Sequence, residues 1–203
     1  VDLPNNTTDQ QMLNAGADAA ARATASITRQ VSDTALQDGA LKLDTIKYNL
    51  FNQVRQKQGQ NAIGSSDDAL QQFDQAAGTL GQTIPEGRRD DWNRQVAATR
   101  LQLQSSADSH EYQQFQDYSR GQLDGRLQMA VNDAETYRSD PGNYAVTRAK
   151  AIDAIRTYGA ANGQSDDEVN GRIARLDQQM SQNATQAYIA DWRTKQLTSP
   201  TTF

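Results

Sequence analysis

Cysteine is absent from this 203-residue chain, which excludes disulfides, thiolate metal sites and a cysteine nucleophile while leaving the compartment open. Histidine occurs once, at His110, so imidazole chemistry has a single candidate and no second ring to pair with it. Hydrophobic residues are 36% of the chain, many of them alanine, and aromatics are 6%, so any core must be thin. No stretch approaches the roughly 20 apolar residues that cross a bilayer, and no basic segment leads into an apolar one as in a secretory signal. Acids and bases interleave at a net charge of -5, which leaves no basic stripe to displace counterions from a phosphate backbone; direct DNA binding by this chain is not expected.

What is present is helical pattern. The mean hydropathy of -0.83 suits helices that bury one stripe and expose the rest. Residues 1–8 read as a polar leader, with Thr7 or Thr8 as a cap, and no proline follows until well beyond Gln58. Leu13, Ala17, Ala20, Thr24, Ile27, Val31, Thr34, Asp38, Leu41, Thr45 and Tyr48 then step by alternating fours and threes, which predicts one seam on one long helix. Gly16 and Gly39 are places where that helix is expected to fray or break.

Gly59 to Ser66 reads as a loop, followed by a short helix to about Leu80 whose face is Ala69 or Leu70, Phe73, Ala77 and Leu80. Pro85 suits the first turn of a third helix reaching about Arg138, roughly 54 residues and about 80 Å at 1.5 Å per residue. Its early seam is Trp92, Val96, Thr99, Leu103, Ser106 and His110, and its later one Leu127, Val131, Ala134 and Tyr137, with a kink expected near Gly121 and Gly125. Ser139 to Asn143 reads as a turn, Tyr144 to about Ala160 as a short helix with Ala145, Ile152 and Ile155 or Tyr158 inward. Ser165 with Glu168 forms a capping box that opens a last helix, its seam being Val169, Ile173, Leu176, Met180, Ala184 and Ala187.

The fold class is therefore all-α: an elongated antiparallel bundle of long and short helices, with coiled-coil character in its seams. One helical domain is expected over 9–196, with a polar tail at 197–203. Long, short and long helices recur at a period of roughly 75 to 80 residues, giving repeat units of about 40–118 and 119–196, by duplication or by coincidence of pattern.

No catalytic constellation emerges. His110 lacks a second histidine or a carboxylate at metal-ligand spacing, and a polar seam position is the simpler reading. Asp67-Asp68, Asp90-Asp91 and Asp166-Asp167-Glu168 all fall in or near first helical turns, where negative charge meets the helix dipole. Phosphate-binding and dinucleotide glycine motifs are missing, as are Gly-x-Ser-x-Gly and Ser-x-x-Lys, so no enzyme, cofactor or metal is expected. Trp92, Trp192, Tyr112, Phe115, Tyr118 and Tyr188 suit packing between helices better than base stacking, since nearby arginines are offset by acids. Tyr118 and Trp192 are the candidate protein-contact residues.

Ala/Gln/Asp/Arg-rich long helices, the turns Asp140-Pro141-Gly142-Asn143 and Gly163-Gln164-Ser165-Asp166-Asp167-Glu168, and the phrases 151–155 and 187–192 resemble the internal virion, or DNA-ejection, proteins of short-tailed bacteriophages and their prophage relatives. The resemblance covers most of the chain and is clearest from about Leu123 to Arg193. It implies a structural segment, located in the virion interior and then in the host envelope on ejection, with homo-oligomers and other virion proteins as partners and membrane contact only through assembly. The catalytic Glu-Ser motif of the transglycosylase domain found in some of these proteins has no counterpart here. A start at Val1 without an initiator Met, and a tail ending Pro200-Thr201-Thr202-Phe203, suggest an excised or processed piece. A bacterial adaptor or effector segment, cytoplasmic or periplasmic, and the non-catalytic flank of a peptidoglycan-cleaving enzyme are the alternatives.

Overall fold

A computed structural model of the chain describes residues 7–198, and among them every regular element is helical. Five α-helices follow one another: α1 (Thr7–Gln56), α2 (Ser65–Gly81), α3 (Arg89–Thr136), α4 (Pro141–Ala161) and α5 (Asp166–Thr198), with short 3-10 turns at Gly59–Ala62 and Glu86–Arg88. The all-α class is as the periodicity predicts. Most of the expected leader and tail lies outside the described residues. The chain packs as two compact units, Val1–Gln114 and Phe115–Phe203, and each has its own core. α3 supplies the third helix of the first unit and the first helix of the second.

In the first unit Leu43, Leu50 and Val54 of α1 meet Ala69, Leu70, Phe73 and Ala77 of α2, and Ile84, Trp92, Leu103 and Ala107 close the core. The seam predicted for α1 is not the one that packs here. Leu41 and Tyr48 are exposed, as are Thr34, Asp38 and Thr45, and the inward face is Leu36, Gly39, Leu43, Ile46, Leu50 and Val54. From Leu36 onward α1 is apolar on two faces, and Gly39 selects between them: a Cβ there would stand 3.0 Å from both Ile84 Cδ1 and Trp92 Cζ3. Gly39 is thus a packing position, and α1 runs unbroken through it and through Gly16. On α3 the buried seam takes Ala107 where Ser106 was expected, Ser106 being exposed.

The second unit buries Leu123, Ala130, Val131 and Ala134 of α3, Ala151 and Ile155 of α4, and Leu176 and Met180 of α5. α3 is continuous past Gly121 and Gly125. α4 begins at Pro141, inside the segment predicted as a turn, because Pro has no N–H to satisfy at a first helical position. Asp140 caps it, accepting from the Asn143 backbone N–H at 3.1 Å and from its side-chain amide at 2.7 Å. Those bonds, the backbone one foremost, hold the Asp140 carboxyl below the usual range. Ala145 is exposed, since Ala151, Ile155 and Gly159 take the inward face. The predicted capping box is formed: Ser165 N–H donates to the Glu168 carboxylate at 2.8 Å and Glu168 N–H donates to Ser165 Oγ at 3.3 Å.

The two cores repeat position by position. Phe73, Ala77 and Gly81 of α2 correspond to Ala151, Ile155 and Gly159 of α4 at one constant offset of about 78 residues. The large and small partners exchange places, so the volume filled stays similar. Trp92, Val96, Thr99, Leu103 and Ala107 correspond at an offset of 77 to Val169, Ile173, Leu176, Met180 and Ala184, and Leu43, Leu50 and Val54 at an offset of 80 to Leu123, Ala130 and Ala134. An Arg–Asp pair ties the short helix to the last helix of each unit with the charges reversed: Arg100 Nε donates to both Asp74 carboxylate oxygens at 2.9 and 3.2 Å, and Arg148 donates through Nε and Nη2 to the two oxygens of Asp177 at 2.6 and 2.7 Å. These pairs are partly exposed, so they fix register more than they stabilise.

Each unit also places a glycine at the end of its short helix under the first bulky residue of the next. A Cβ on Gly81 would lie 2.9 Å from Trp92 Nε1, and one on Gly159 would lie 2.5 Å from Val169 Cγ2. Valine is stiff at χ1, so it yields poorly. Gly159→Ala is expected to destabilise the second unit by about 1–3 kcal/mol in urea unfolding, and Gly159→Ala with Val169→Ala to recover part of the loss; an unchanged single variant would show that the contact is loose.

Candidate interaction surface

His110 belongs to a group of polar residues that organises a loop. Asp108, His110, Glu111 and Gln114 lie within two turns of α3, opposite the connection from α1 to α2. Glu111 accepts from the backbone N–H groups of Gly64 at 2.8 Å and Ser66 at 3.0 Å, and Gln114 Oε1 accepts from Gly59 N–H at 3.0 Å. Asp108 accepts from the Ser66 hydroxyl. His110 Nε2 sits 3.0 Å from the Lys57 carbonyl, which can only accept, so that nitrogen carries the proton. Gly64, with φ at 80°, makes the left-handed turn that aims the free N–H groups of α2 at the carboxylate. His110 is therefore a tie between α3 and the loop, in keeping with its reading as a polar seam residue.

The carboxylate clusters serve helix starts and arginines. Asp67 and Asp68 lie in the first turn of α2, with Asp68 3.3 Å from Lys57 Nζ. Asp91, in the first turn of α3, accepts from Arg94 and from Arg88 at 3.2 Å, and those bonds hold its carboxyl below the usual range. Arg88 also reaches Asp33 of α1. Asp166, Asp167 and Glu168 open α5. Among the described residues no group of three or more His, Asp and Glu converges as a metal site would require. No helix among them is long and apolar enough to cross a membrane.

The chain matches no protein-family model, no curated protein and no solved structure.

The surface is rich in uncovered apolar side chains. Every residue from Gln10 to Val31 of α1 is exposed, Leu13, Ile27 and Val31 among them. Of the two candidate contact residues, Trp192 is 55% exposed on α5 beside Tyr188 and Ile189. Tyr118 is only half-buried rather than fully exposed, because it lines a groove of about 300 Å³ between α3 and α4 with Phe115, Leu123, Ala154 and Tyr158. A second groove of about 530 Å³ adjoins it, lined by Met129, Tyr137 and Val146, and the two share Arg126, Lys150 and Asp153. Tyr112 and Phe115 of α3 stand at the same spacing as Ile189 and Trp192 of α5, 77 residues earlier, and all four are exposed.

The sequence reading missed the loop clamp, although its signal was present: Asp108, Glu111 and Gln114 recur every three residues on α3, facing a loop whose glycines free backbone donors. Removing the carboxylate leaves two half-buried N–H groups without an acceptor. Glu111→Ala is expected to lower stability by about 1.5–3 kcal/mol in denaturant titration, whereas a loss near zero would mean that water replaces the clamp.

Proposed function

We propose that this chain is a structural assembly segment of a bacteriophage particle, part of an internal ejection protein that helps deliver the genome through the host envelope. The observation that carries the assembly half is α1: a run of helix from Gln10 to Val31 with no cover from the described residues, and with apolar residues along it. A bare Ala-rich helix of that length is marginal in water and gains stability by docking to another protein. The phage half is supported by the resemblance of the turns and helices between Leu123 and Arg193 to ejection proteins.

A second reading, an adaptor that receives one heterologous protein, is favoured by the two adjoining α3–α4 grooves, the smaller one mainly apolar, which share Arg126, Lys150 and Asp153. The two readings part in the particle. Purified virions of the phage or prophage that encodes the chain are expected to contain it before adsorption and to have lost it after DNA release, as read by quantitative mass spectrometry of full and emptied capsids. Virions that never contain it would overturn the phage reading and leave the adaptor.

A further inference from the structure

We infer that the exposed stripe of α1 is a coiled-coil seam for a second copy of this chain. The inference deepens the assembly reading and rests on it, since it names the partner of the same bare helix.

Leu13, Ala17, Ala20, Thr24, Ile27, Val31, Thr34, Asp38, Leu41, Thr45 and Tyr48 alternate fours and threes without a slip, an average repeat of about 3.5 residues. A straight helix repeats at about 3.6, so this stripe stays in line only against a helix that supercoils with it. It is distinct from the face that packs in the first unit, and its large members remain open: Leu13 is 72% exposed, Val31 62%, Leu41 69% and Tyr48 65%. The threonines do not make it wet. Thr24, Thr34 and Thr45 each turn the hydroxyl back to the carbonyl four residues earlier, at 2.9 Å, which leaves a methyl group for a partner.

Charge identifies the occupant. Between Gln10 and Ala35 the charged residues are Asp18, Arg22, Arg29 and Asp33, two of each sign, in a chain of net charge -5. None lies on the stripe or at the positions flanking it, Asn14, Gly16, Ala21, Ala23, Thr28 and Gln30. Over that stretch the face carries nothing to repel its own copy and nothing for a basic or acidic partner to pair with, and farther along Lys42 and Asp44 flank it with one charge of each sign. Asp38, the one charge in the stripe, is held by Lys42 of the same helix at 2.6 Å. The absence of a basic face also disfavours a lipid surface.

Area sets how much of the stripe is needed. Leu13 to Tyr48 spans about 50 Å, and a contact strip about 10 Å wide gives about 500 Å² per copy, so that two copies bury about 1,000 Å², near the lower bound for a stable interface. Half the stripe would fall short, which is why the seam runs past the bare segment into the part of α1 whose other face packs at home.

The test is sedimentation velocity of the full chain, from micromolar to submillimolar concentration, for wild type, Ile27→Glu with Val31→Glu, and Arg22→Glu. Both stripe positions are exposed, and glutamate is the better helix former, so the folded units are expected to keep the near-ultraviolet signal of Trp92. Wild type and Arg22→Glu are expected to self-associate equally, and the double variant to do so at least about 100-fold more weakly because two carboxylates would be buried unpaired. Wild type that stays monomeric throughout overturns the inference, as does association that the double variant leaves intact, which would move the contact to a surface such as Tyr188 and Trp192. Wild type that stays monomeric yet binds vesicles of anionic phospholipid overturns it in favour of lipid. A chain found in virions but monomeric here would leave the assembly reading standing and remove this partner alone.

Discussion

How closely two helices approach is set by the smallest side chain between them, and in this protein that side chain is repeatedly a hydrogen atom. Trp92 rests on Gly39 of α1 and Gly81 of α2, and Val169 rests on Gly159 of α4. With so few large apolar residues in the chain, a core closes only if each of them is used fully, and glycine beneath a bulky neighbour removes the gap that would otherwise remain. The choice of packing face on α1 and the seating of each short helix against the following one depend on these contacts.

Repetition extends the same economy. One pattern of small and large positions serves both units, with Phe73 and Ala77 exchanged for Ala151 and Ile155, and with the Arg100–Asp74 pair answered by Asp177–Arg148. α3 is the last helix of one unit and the first of the next, and its buried apolar positions end at Ala107 in the first and begin at Leu123 in the second. The first unit alone carries the polar clamp from Asp108 to Gln114, and it alone has the long loop that needs one.

Much of this was legible in the sequence. Capping signals placed α5, and the three-and-four spacing found most of the core of α2, α3 and α5. The misreadings have physical causes. Two heptad stripes coexist on α1 beyond Leu36, and hydrophobicity alone favours the longer one, whereas packing in the first unit chose the face with Gly39. The start of α4 looked like a turn because proline opens helices as readily as it shapes turns. Ala145 was placed inward by spacing, but alanine is too weakly apolar to decide a face. The loop clamp needs contacts between residues some fifty apart, which a local pattern does not encode.

The longer stripe, left out of the core, is what turns a packing error into a functional lead: α1 is a helix with two apolar faces and only one of them used. Amide hydrogen exchange, followed residue by residue at low and high protein concentration, tests this most directly. Protection across residues 10–31 should rise with concentration while that of Leu43 to Val54 stays constant, because only the former depends on another molecule. Protection of 10–31 that is the same at every concentration would contradict the account.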